Sequence, residues 1–122
     1  MVSSMGIHGL ENQPATEQAR DVCLRHGIDI AHHRSRPLVP GELKEADLVF
    51  TMEIVQRDFV KIFFPVAGDR AFMLAAWPHQ EGKKHLIRDP MSRSDRVYQD
   101  VFTTIQRHVE RVVPLLLSQV AS

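Results

Sequence analysis

The chain has 122 residues, 43% of them apolar and 25% charged, with fifteen Lys and Arg balanced by fifteen Asp and Glu. That length and balance predict one globular domain, residues 1–122, with a single packed core, and exclude a disordered or fibrous chain. A chain without net charge offers no field to draw nucleic acid or an anionic membrane surface, and the single cysteine, Cys23, allows no internal disulfide and fits a reducing, cytoplasmic setting.

The first residues lack a basic stretch followed by an apolar one, and no apolar run reaches membrane-spanning length, so neither a targeting nor a spanning segment is expected. Residues 2–5 form a short β-prone run stopped by Gly6, and residues 6–14, rich in Gly, Asn and Pro, read as a loop. From Thr16, the positions Ala19, Val22, Cys23 and His26 recur at helical spacing, with Pro14 before them and Gly27 after. This predicts a helix of about three turns.

Residues 28–36 read as a connection, and residues 40–46 as a short helix led by Pro40 with Glu42 near its start. The period then changes. Asp47-Leu48-Val49-Phe50-Thr51-Met52 is an apolar run without alternation, the pattern of a strand covered on both faces in a parallel sheet. Glu53 opens a second long helix that sets Val55, Phe59, Ile62 and Phe63 on one face and ends at Pro65.

Residues 71–76 repeat the buried-strand pattern, closed by Trp77-Pro78, and residues 79–93 are a polar loop. The last helix starts near Ser94 and aligns Val97, Val101, Ile105, Val109, Val112 and Leu116 in one stripe, beside which His108 falls. Pro114 inside it cannot bond the carbonyl of Glu110 and is expected to kink the final turns. Strands alternating with helices predict an α/β layer fold with a parallel sheet and right-handed crossovers.

Ser4 to Gly6, His33-Arg34-Ser35-Arg36, the run from Asp47 to Glu53, and Asp89-Pro90 occur in an order and spacing that resembles the low-molecular-weight protein tyrosine phosphatases. The resemblance covers essentially the whole chain and implies that family's three-layer α/β fold with a parallel sheet. It also implies a cysteine nucleophile in a Cys-x-x-x-x-x-Arg loop between a first strand and a first helix. No such loop occurs in the 122 residues, since six positions after Cys23 stands Asp29. Phosphoryl oxygens need converging amide N–H groups and a guanidinium, and a thiolate needs the same positive field. Cys23 lies on an apolar helical face and reads as a small core residue.

By resemblance, Asp89 falls at the general acid that protonates the leaving aryl oxygen and later helps to activate water. Pro90 disfavours the helical conformation at Asp89 and holds it extended. Met91 and Ser92 follow where the family often carries tyrosines lining the substrate slot, which weakens an expectation of phosphotyrosine preference. Ser4 and His33 match family positions that hydrogen-bond the catalytic loop; the alternatives are a serine ending a strand and a locally bonded histidine. Arg34 and Arg36 read either as an anion contact or as a solvated loop with a structural salt bridge. Seven histidines include no His-Glu-x-x-His pattern and no cysteine pair, so no metal and no cofactor are expected; glycine-rich nucleotide loops are absent as well.

In the family the strand bearing that loop sits inside the sheet, beside the strand expected at residues 2–5 and the one at residues 47–52. Without it, two neighbours would stand roughly twice the usual ~4.8 Å apart with unpaired backbone groups. Three resolutions are expected: the N-terminal segment shifts inward, a second copy supplies a strand in an exchanged homodimer, or the natural protein is longer. The functional expectation is a phosphatase-family chain, inactive as it stands, that takes a phosphorylated substrate only if the loop is supplied. The alternatives are a non-catalytic binding or regulatory protein on the same scaffold and a fragment of a related arsenate reductase.

Overall fold

The computed structural model of the protein describes residues 2–7, 11–79 and 86–121, with side chains through residue 118. Its elements in chain order are α1 (Glu17–Arg25), α2 (Pro40–Glu45), β1 (Val49–Thr51), α3 (Ile54–Phe63), α4 (Pro65–Gly68), β2 (Ala71–Met73) and α5 (Asp95–Ala121). The helices follow from local chemistry. Thr16 caps α1 by accepting the amide of Ala19, Pro40 opens α2, and Glu53 with Gln56 forms a reciprocal capping box at the start of α3.

Strands β1 and β2 pair in parallel, Val49 opposite Ala71 and Thr51 opposite Met73, with α3 and α4 between them in the chain. Alternation across the sheet divides the core in two. Val49 and Ala71 face a cluster with Leu43, Val60 and Ala67, while Phe50 and Phe72 face Leu74, Trp77, Ile87 and Val112. Helices α2, α3 and α4 thus cover one face and α5 the other, which is why both strands read as continuous apolar runs. Arg111 of α5 fastens this second layer by donating to the carbonyls of Trp77 and Leu74. Helix α1 docks on α5 through Thr16 Oγ1 bonded to Tyr98 Oη at 3.1 Å and through His26 stacked on Phe102 at 4.2 Å.

Three expectations need correction. Residues 2–5 form no strand: Gly6 donates to the Arg36 carbonyl, and among the described residues the pairing there is one isolated parallel bridge of Gly6 with Pro37. Pro37 has no N–H to continue a ladder, so it stops there. Both strands are three residues long rather than six, because Met52 turns into the α3 cap and the chain beyond Met73 folds into turns, with Ala76 and Trp77 donating to the Met73 carbonyl. The stripe Val55, Phe59, Ile62 and Phe63 does not face the core: Val55, Ile62 and Phe63 are exposed, and Val60 on the other side of α3 is buried instead.

Among the described residues, β1 pairs only with β2. Val49 donates to the Arg70 carbonyl and Leu74 donates to the Thr51 carbonyl, so residues 49 and 51 face β2. The N–H and C=O of Phe50 therefore point toward the opposite edge. Helix α5 continues through Pro114 to Ala121. No helix among the described residues is long and apolar enough to cross a membrane.

Candidate active site

In a parallel sheet, ligands collect outside the carboxyl ends of the strands, where loops converge. At that end of β1 lies a groove of about 190 Å³ whose walls come from Met52, Glu53 and Gln56 on one side, from residues 87–90 on another, and from Val101 and Ile105 of α5. The side chain of Gln56 reaches back so that its Oε1 accepts the amides of Met52 and Glu53 at 3.0 and 3.1 Å, fixing the turn from β1 into α3. The opposite wall is the loop bearing Asp89. Ile87 buries its side chain against Leu74, Trp77 and Val112, and its amide donates to the Met52 carbonyl at 2.8 Å.

Two residues after that anchor, Asp89 is exposed, and its Oδ1 accepts the amide of Met91 at 2.9 Å. This Asx turn is continued by Arg93 donating to the Pro90 carbonyl, with Ser92 in the left-handed region at φ 65°. The carboxyl group is thus presented from a fixed turn beside the groove, a geometry suited, in its protonated form, to giving a proton to a leaving group held there. Gln56 and Ile87 were not singled out from the sequence. The Glu53-x-x-Gln56 spacing is a capping-box signal that points to Gln56; nothing comparable marks Ile87.

The remaining sequence candidates lie elsewhere. Arg36 is committed to the fold: it makes a forked ion pair with Glu42 at 2.5 and 2.7 Å, and its Nε donates to the Ser4 carbonyl at 3.0 Å. Hydrogen bonding raises the Arg36 pKa and holds the Glu42 carboxyl below its ordinary value. Arg34 curls onto its own loop, donating to the carbonyls of Ala31 and His33. Ser4 and His33 are both exposed, and the backbone amide of His33 donates to Ile30. Arg34 and Arg36 line a second, wider hollow of about 610 Å³ with Glu11, Asn12 and Ser35. It is the larger of the two, yet it opens broadly to solvent and Asp89 is not part of its wall.

Cys23 lies on α1, half-buried, and desolvation pushes its thiol pKa up, away from the ionised form a nucleophile needs. Among the described residues no three His, Cys, Asp or Glu side chains are grouped so as to hold a metal ion.

The family model described as low molecular weight phosphotyrosine protein phosphatase matches residues 1–121. The chain belongs to that family. It is 31% identical over 113 residues to the "Probable low molecular weight protein-tyrosine-phosphatase EpsP" of Ralstonia nicotianae, covering 93% of this chain and 74% of the relative. To the low molecular weight protein-tyrosine-phosphatase Etp of Escherichia coli K12 it is 28% identical, over 87% of this chain and 69% of Etp. Among solved structures, the YwlE arginine phosphatase from Geobacillus stearothermophilus superposes with a TM-score of 0.87 at 26% identity, over 96% of this chain and 74% of that one. The α/β fold with a parallel sheet is therefore the phosphatase family's fold.

Proposed function

We propose that this low-molecular-weight phosphatase chain supplies the proton-donor half of a cysteine-dependent phosphomonoester hydrolase, with Asp89 as the general acid. The observation that carries this reading is the Asx turn that holds Asp89 two residues from the Ile87 anchor, at the carboxyl end of β1. In the reaction, a thiolate attacks phosphorus and the P–O bond to the leaving group breaks. Asp89 gives its proton to the departing oxygen, becoming a carboxylate. That carboxylate then takes a proton from water as the water attacks the phosphocysteine, which releases inorganic phosphate and restores the thiolate and the acid.

Residues 1–122 carry the acid and its supports but no Cys-x-x-x-x-x-Arg loop, so the chain alone is proposed to turn over no phosphate ester. Cys23 does not serve as a substitute: its spacing lacks the arginine, and burial favours its neutral thiol. A strand, Cys-x-x-x-x-x-Arg loop and helix joined ahead of Met1 should confer hydrolysis of p-nitrophenyl phosphate. Asp89→Ala in that fusion should lower kcat by ~10²–10⁴-fold, and least with leaving groups of low pKa. An active fusion whose rate is indifferent to Asp89→Ala would remove the assignment.

A further inference from the structure

Surface helices normally bury their apolar stripe and show solvent a polar face. The α3–α4 segment is apolar on both sides. Inward it places Val60 and Ala67 in the core cluster, with Phe64 packed against them. Outward it shows Val55, Ile62, Phe63 and Val66, which keep 74%, 68%, 64% and 66% of their surface exposed. Phe59, half-buried, extends this face, its ring 4.8 Å from that of Phe63. Within α3 the positions 55, 59 and 62 are separated by four and three residues, the alternation of a helix–helix seam, and Val66 follows on α4 after the chain leaves the helix at Phe64.

The exposed side chains amount to roughly 400–500 Å² of apolar surface, the size of the largest patch on a typical monomer, and such patches are often functional. Two such faces pressed together, with their polar margins, bury over ~1,000 Å² in total, the threshold of a specific interface. The charges nearby favour a neutral occupant over a bilayer: Asp58 in its ion pair with Arg57, Lys61 and Asp69 provide no basic excess to attract anionic lipid. With fifteen charges of each sign, two copies of the chain approach without net repulsion.

We propose that the chain self-associates through the outer face of α3 and α4, two copies packing α3 antiparallel about a two-fold axis. The helix dipoles then oppose one another, and each apolar face meets its own copy in a closed contact. This face is distinct from the Asp89 groove and from the open edge of β1, so the proposal stands independently of the phosphatase chemistry.

Sedimentation equilibrium of the 122-residue chain from micromolar to near-millimolar concentration tests it, with Ile62→Glu and Phe63→Ser as variants and amide exchange followed alongside. The expected result is a reversible dimer whose formation protects amides of residues 54–66. Ile62→Glu acts twice in a symmetric contact and should raise the dimer Kd at least ~100-fold. Because the side chain is exposed, far-UV circular dichroism and the melting temperature at dilute concentration should stay unchanged. A chain monomeric throughout that range overturns the proposal. So does a dimer indifferent to both variants with protection confined to residues 48–52, which is the signature of strand exchange at the β1 edge. A monomer that instead co-floats with phosphatidylcholine vesicles also overturns it.

Discussion

Replacing Ile87 by alanine removes the anchor of the Asp89 loop while leaving its chemistry untouched. Ile87 is 2% exposed and sits in the cluster formed by Leu74, Trp77 and Val112. Three buried carbons are lost, worth about 2.4 kcal/mol at ~0.8 kcal/mol each. The remaining cavity adds about 1 kcal/mol, less than in a closed core because the site borders the open groove beside Asp89. A loss of roughly 3 kcal/mol corresponds to a melting temperature about 10 °C lower for a domain of this size. Urea unfolding followed by Trp77 fluorescence should show a lower midpoint at unchanged slope, since the surface exposed on unfolding hardly changes. Leu86→Ala next to it, at an exposed side chain, should cost below ~1 kcal/mol. A loss below ~1 kcal/mol at Ile87 as well would refute the claim that this side chain ties the loop to the end of β1.

Arg111→Lys should cost about 1–2 kcal/mol in the same assay, because a single ammonium cannot reach the Leu74 and Trp77 carbonyls in the forked manner of the guanidinium; equal stability of the two proteins would count against that fastening. The Arg36–Glu42 pair predicts an acid limb of stability. The folded pKa of Glu42 is depressed, so its contribution is full above the ordinary carboxylate value and is lost as pH falls through the lower folded value. Glu42→Gln should therefore flatten melting temperature against pH on the acid side and leave the alkaline side alone; parallel profiles for the two proteins would contradict the pairing.

The sequence marks its helices well because their ends carry local chemistry: Thr16 before α1, Pro40 at the start of α2, and Glu53 with Gln56 around the start of α3. Strand extents are less legible, since an apolar run shows burial and not where the ladder stops; β1 ends when Gln56 takes the amide of Met52. Helical periodicity revealed that α3 has an apolar face but not which way it points. Val60 and Ala67, on the other side, satisfy the core, and nothing local ranks one face above the other. Asp89 was found through order along the chain, whereas the supports of its loop depend on contacts between residues far apart, such as Ile87 with Met52. Arg36 was ambiguous for the same reason, because the partner that decides its role, Glu42, is reached across a loop.

Turnover of p-nitrophenyl phosphate by the purified 122-residue chain, with Cys23→Ser alongside and the reaction quenched to look for phosphocysteine, tests the chemistry most directly. Phosphate release at the buffer rate for both proteins, with no phosphate on Cys23, is the expected result. Hydrolysis above that rate, abolished by Cys23→Ser and accompanied by a phosphorylated Cys23, would contradict it.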